Sequence, residues 1–145
     1  MPKGEAVKLI KKYGTNNPFE IAKRLGVVVI YEPLGNAFGY YNSYKRIKFI
    51  HINEELREKS ALFVCAHELG HVTQHPKANT PFMRKNTLFS LERIEVEANT
   101  FAVELLLPDS VIYEHKHENL TINEIANIYG VPEEVAHLKN LRNVR

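Results

Sequence analysis

The stretch from Glu54 to about Gln74 reads as one long helix, and its middle carries His67-Glu68-Leu69-Gly70-His71. Apolar Leu56, Leu62, Phe63, Ala66 and Leu69 recur near helical spacing, so the helix has a face to bury. Asn53 is placed to cap it and Pro76 to close it. Two histidines four residues apart stand on the same helix face, about 6 Å apart along the axis, so both imidazoles can reach one ion. Glu68 is one position round from His67, close enough to touch a water on that ion without ligating it. Two ligands and a general base are the working parts of a zinc hydrolase. Seven residues are His, and Asp109 is the sole Asp among 17 acidic residues. Such a composition yields the five-residue pattern by chance about 0.04 times. The motif therefore needs a partner element before it carries an argument.

A catalytic zinc takes three protein ligands and keeps one position open for water. A second strong helix, from Ser90 as cap to Leu107 before Pro108, supplies the candidate third. Within it Glu95 and Asn99 lie four apart between small and apolar residues, which suits an inward carboxylate with a polar neighbour. Ala98 is small enough to let two helices approach. Glu95 is the preferred ligand, with Glu97 as its rival. Asn99 is expected to orient a ligand histidine through a hydrogen bond, or else to satisfy a backbone carbonyl. His75 continues the four-residue series at the helix end, where it is either a further ligand or, by preference, a cap or a support to the ligands.

The remaining elements follow from period and punctuation. An amphipathic helix with Val7 and Ile10 ends at Gly14. Asn17-Pro18-Phe19-Glu20 opens a second helix that runs to about Leu25, with Glu20 at a capping-box position. Val27 to Tyr31 reads as a buried strand. Phe38 to Tyr41 and Ile47 to Ile52 form the arms of a hairpin whose tip is Asn42 to Arg46. Lys77 to Phe89 has no period and reads as a loop, long enough to be functional or mobile. A short helix follows around Ser110 to His115. Thr121 to Glu124 is a capping box, its helix stopping at Gly130. Pro132 opens a last helix with Val135, Leu138 and Leu141 on one side.

The HELGH helix followed by E-x-x-A-N-x-F-A-x-E-L-L-x-P, Glu95 through Pro108, resembles the ImmA/IrrE family of metallopeptidases. Within it the likeness is greatest to the ImmA-type proteins of mobile elements and prophages. Gly14 to Pro18, the hairpin ending at His51-Ile52-Asn53-Glu54 and the loop after His75 add to the resemblance, which covers about residues 5 to 110. It implies a zincin-like endopeptidase with one Zn2+ on His67, His71 and Glu95 and with Glu68 as catalytic glutamate. It also implies the substrate, a helix-turn-helix repressor whose cleavage releases the element's genes. Nothing in the spacing of residues identifies that repressor.

The expected fold class is α+β. One domain spans residues 1–145, with a small sheet, the motif helix, the glutamate helix and a C-terminal helical tail over about 111–145. The chain's 44% hydrophobic content suits a single soluble core. Nineteen basic against 17 acidic residues give +2, too balanced for a polyanion-binding arm. The longest apolar run is far short of the roughly 20 residues of a membrane helix. The single cysteine, Cys65, reads as buried and fits a reducing cytoplasm.

The expected mechanism has Glu68 deprotonate a zinc-bound water whose pKa is lowered to about 7, with the peptide adding as a strand along Ile47 to Ile52. Tyr40, Tyr41 and His75 are the names within reach for stabilising the oxyanion. Two readings stand against the peptidase. Phe19 to Gly26 and Ile122 to Arg142 mimic DNA-reading helix pairs, which would suit a non-enzymatic antirepressor or DNA-binding regulator with a structural metal. Lys139, Arg142 and Arg145 are few for neutralising phosphates, so nucleic acid is disfavoured. A small-molecule metallohydrolase is the third option. Oligomeric state is open.

Overall fold

The computed structural model describes residues 1–77 and 81–142. Among the described residues twelve elements follow in order: α1 (Pro2–Tyr13), α2 (Pro18–Arg24), β1 (Val28–Glu32), β2 (Ala37–Tyr44), β3 (Ile47–Asn53) and α3 (Glu58–Gln74) come first. β4 (Phe82–Met83), α4 (Arg84–Leu88), α5 (Arg93–Leu106), α6 (Asp109–Glu114), α7 (Ile122–Ile128) and α8 (Glu133–Ala136) complete them. This is a small α+β domain. The sheet order is β1-β3-β2-β4, with β1 parallel to β3 and the other pairs antiparallel.

The sheet lies on α3, α3 lies on α5, and α5 in turn packs against α1. Ile50 and Ile52 of β3 point into this core, while Phe49 and His51 take the other face. Two glycines set the layer spacing. A Cβ on Gly39 of β2 would meet the His51 carbonyl oxygen and Val64 of α3, each at 2.7 Å. A Cβ on Gly70 of α3 would sit 3.0 Å from the Phe101 ring of α5. α3 is thus clamped between the sheet and the glutamate helix, and Gly70 joins Ala98 in allowing the close approach.

Several local expectations are revised. Val27 to Tyr31 is not a buried strand: β1 begins at Val28 and is the sheet's edge, with Val28 and Tyr31 exposed. An all-apolar run reads as interior, but here no residue of β1 is fully buried, and its helix neighbour is α2, whose Phe19 stacks on Tyr31. α3 starts at Glu58 rather than Glu54, because Asn53 ends β3 and spends its side chain on the following turn, accepting from Glu55 N and donating to Gly35 and Ala37 carbonyls. The hairpin tip is only Lys45-Arg46, both at positive φ, which matches the strand twist. Residues 81–89 hold β4 and α4 rather than a bare loop, whereas Ala78 to Thr80 of that expected loop lie outside the described residues, as does Arg145.

On α1 the buried side is Ala6 and Leu9, and Val7 is exposed. Asn17 caps α2 through Phe19 N and Glu20 N, but the Glu20 carboxylate pairs with Arg24 instead of closing a box. The Thr121–Glu124 box on α7 does form in both directions. The last helix is shorter than its pattern, four residues at α8. Among the described residues no helix is long and apolar enough to cross a membrane.

Candidate metal centre

α3 presents His67 and His71 on the face turned to α5, and α5 presents Glu95 back to them. The Nε2 atoms of His67 and His71 lie 3.1 and 3.0 Å from the same oxygen, Glu95 Oε1. All three residues are buried, and one donor atom from each falls within 4.8 Å of the others. His67 Nδ1 is 2.8 Å from Asn99 Oδ1, and Asn99 Nδ2 donates to the Thr87 carbonyl at 3.0 Å. That second bond sets the amide orientation, so Asn99 Oδ1 accepts and His67 Nδ1 carries the proton. Asn99 therefore makes both contacts considered from its sequence position.

The electrostatics follow. Burial lowers the His67 pKa, which favours the neutral ring, although contact with Glu95 opposes it. Its Nε2 then presents a lone pair. Burial works against ionisation of Glu95, but the contacts with His67 and His71 outweigh it and hold its carboxyl down at about 2. An anionic oxygen and an imidazole lone pair facing one another at this distance repel unless a cation or a proton lies between them.

Glu68 is fully buried beside them, its Oε2 4.0 Å from His67 Nε2. Burial pushes its pKa well above the carboxylate range, and the negative Glu95 adds to the effect. Among the described residues, three buried side-chain oxygens have no hydrogen-bond partner in the protein: both of Glu68 and Oε2 of Glu95. Buried polar groups left unsatisfied are rare and costly. Their convergence on one spot, with two nitrogen donors and one carboxylate, fits a divalent cation of the zinc class and its water.

The family model Peptidase_M78, described as the IrrE N-terminal-like domain, matches residues 22–139. The chain belongs to this family, the ImmA/IrrE metallopeptidases. Over 144 residues it is 50% identical to uncharacterized immunity region protein 2 of Bacillus phage phi105, covering 99% of this chain and 91% of that protein. It is 33% identical over 141 residues to metallopeptidase ImmA of Bacillus subtilis strain 168, covering 94% of this chain and 82% of that one.

In this M78 chain Glu97 does not join the cluster. It turns to His75, whose Nε2 lies 2.9 Å from Glu97 Oε1, while His75 Nδ1 lies 3.1 Å from His71 Nδ1. Three contributors escaped the sequence reading. Phe82 of β4 sets its ring edge-on to His67, 4.7 Å between centroids. Thr87 of α4 orients Asn99, and Arg93 lies 3.6 Å from the outer oxygen of Glu97. Phe82 and Thr87 belong to the stretch without period, where no pattern could reveal them, whereas Arg93 opens the glutamate helix four residues before Glu97, a spacing the sequence does contain.

The tyrosines proposed as oxyanion donors are engaged elsewhere. The Tyr41 hydroxyl donates to the Pro76 carbonyl at 2.6 Å. Tyr40 stacks on His51 across the sheet's outer face, where His51 Nδ1 meets Glu32 Oε1 at 2.5 Å. Cys65 is buried, and burial raises its thiol pKa. Lys139, one of the few cations of the helix pair that resembles a DNA reader, is buried in ion pairs with Glu104 at 2.7 Å and Asp109 at 2.6 Å.

Proposed function

We propose that this chain is a cytoplasmic zinc endopeptidase that hydrolyses a peptide bond in a helix-turn-helix repressor and so derepresses mobile-element or prophage genes. The observation carrying the proposal is the convergence of His67 Nε2, His71 Nε2 and Glu95 Oε1 beside the unpartnered carboxylate of Glu68. His67, His71 and Glu95 would hold the metal. A bound zinc would supply Lewis acidity, polarising the scissile carbonyl and lowering the pKa of a water to about 7.

Glu68 would take a proton from the attacking water as its oxygen bonds to the carbonyl carbon, then deliver that proton to the amine nitrogen as the C–N bond breaks. Burial raises the proton affinity of Glu68 and the charge of a bound cation would lower it, the balance needed by a group that must both accept and return a proton. Asn99 would keep the His67 lone pair on the metal side throughout. β3 is central in the sheet, so it cannot receive the peptide as Ile47 to Ile52 was expected to. Among the described residues, β4 pairs with β2 only at Ala37 and Gly39, and the outer side of Tyr40 to Tyr44 is where an extended segment would add. The repressor rests on the family resemblance, supported by a phage relative named for its immunity region.

The test is to look for a helix-turn-helix repressor in the neighbouring reading frame, incubate it with the zinc-loaded protein and analyse the products by mass spectrometry. A discrete pair of fragments is expected, absent with Glu68→Gln, which should keep its zinc. Equal cutting by Glu68→Gln would remove Glu68 from the reaction. If Glu68→Gln instead preserved derepression in cells, the chain would act as a binding antirepressor and not as an enzyme.

A further inference from the structure

Glu97, His75 and His71 form a hydrogen-bonded line from the surface to the candidate metal centre. Glu97 Oε2 lies 3.6 Å from Arg93 Nε and its Oε1 2.9 Å from His75 Nε2; His75 Nδ1 then lies 3.1 Å from His71 Nδ1. With one carboxylate oxygen facing the Arg93 guanidinium and the other the His75 ring, Glu97 is placed as an acceptor. His75 must therefore donate through Nε2. In a neutral imidazole the other nitrogen is then an acceptor, so His75 Nδ1 offers a lone pair. His71 Nδ1 must donate into it, which leaves His71 Nε2 unprotonated on the side of Glu95.

We propose that Glu97 and His75 are positioning residues that fix the tautomer and ring orientation of His71 for metal binding, the role Asn99 and Thr87 fill for His67. The proposal rests on the reading of His71 as a metal ligand. Each ligand histidine then has its own support: a buried amide tied to α4 for one, and an imidazole–carboxylate pair rooted on α5 for the other. His75 is not itself a ligand, because it touches the nitrogen of His71 that faces away from Glu95, and it stands outside the group of converging donor atoms. The pair also explains why two glutamates stand two residues apart on α5. Successive turns of direction by about 100° each send Glu95 to the imidazole tips and Glu97 to the end of α3.

The test is zinc affinity of the full-length protein, measured by competition with a chromophoric chelator, together with long-range 15N–1H spectra of the metal-free imidazoles. Glu97→Ala and His75→Ala should each weaken zinc binding roughly ten- to a hundredfold, the usual cost of losing a ligand's hydrogen-bond partner. The double variant should be little worse than His75→Ala, since the two act in series. Glu97→Gln should recover most of the affinity, because its side-chain oxygen still accepts from His75 Nε2. In the spectra the His71 proton should reside on Nδ1 in the wild type and spread over both nitrogens in His75→Ala.

Zinc affinities within twofold of the wild type for both alanine variants, or a His71 proton that stays on Nδ1 without His75, would overturn the proposal. His71→Ala separates this from failure of the metal reading: if that variant binds zinc normally, it is the ligand assignment that falls. The Glu97 side chain is 30% exposed, so thermal melts of its variants should match the wild type closely, whereas His75, at 11%, is largely buried and His75→Ala should melt lower while Glu97→Ala still carries the test.

Discussion

Gly70 shows how much of this centre depends on one missing methyl group. It lies between Leu69 and His71 in the motif, and its bare Cα lets Phe101 of α5 rest against α3. Gly70→Ala would put a Cβ 3.0 Å from the Phe101 ring and 3.2 Å from the Phe101 Cβ. Phe101 is fully buried and has nowhere to retreat. The helices must separate by a few tenths of an ångström, at about 1–3 kcal/mol by analogy with other overpacked cores. Urea denaturation should show that loss, and the same displacement should carry Glu95 away from the histidines and weaken zinc binding. The i, i+4 placement of His67 and His71 was legible from helical geometry alone. The choice between Glu95 and Glu97 was open to spacing, since both sit on one short stretch of helix and only the packing angle decides what each meets.

Among the elements, β4 with α4 is the part that sequence periodicity could not reveal, and it supports the site most closely. A two-residue strand and a five-residue helix are too short for either period to repeat. Phe82 is nonetheless held by rings on three sides, stacked on Phe38 and edge-on to Phe63 and His67. Phe82→Ala should cost about 3–5 kcal/mol, as for other large buried aromatics. It should also loosen the His67 ring, which would appear as broadened imidazole resonances and a lower melting temperature. The edge position of β1 was hidden for a related reason. Its β-branched run is what an interior strand looks like, and no local property says that, among the described residues, no further strand pairs with its outer edge.

Across the whole molecule, the chain ends are tied to the glutamate helix by charge. Lys139 pairs with Glu104 and Asp109, Lys3 reaches Asp109 at 2.9 Å, and Asn140 N donates to Glu104. Burial acts to raise the Asp109 pKa, but hydrogen bonds from Lys139 and Lys3 overcome it and the net shift is downward. The unfolded chain titrates near the ordinary value, about 3.9. Ionised Asp109 therefore contributes stability that is fully present above that value and is lost as pH falls through its lower folded pKa. Melting temperatures recorded between pH 6 and pH 2 should fall less steeply for Asp109→Asn than for the wild type. The opposite order would mean that these contacts do not stabilise the fold. The same network removes Lys139 from any phosphate-binding role, a conclusion that the amino-acid pattern of the tail could not supply.

What the amino-acid sequence determined by itself was local: the motif helix and its two stacked histidines, the glutamate helix, the hairpin and the Thr121 capping box. Each depends on residues within a turn or two of one another. The tertiary structure alone decided what lies between elements: which carboxylate meets both imidazoles, that His75 and Glu97 stand behind His71, and that β3 lies inside the sheet between β1 and β2. Those outcomes depend on crossing angles and layer spacings. They arise from glycine gaps and buried rings far apart along the chain, and no periodicity in a single segment encodes them.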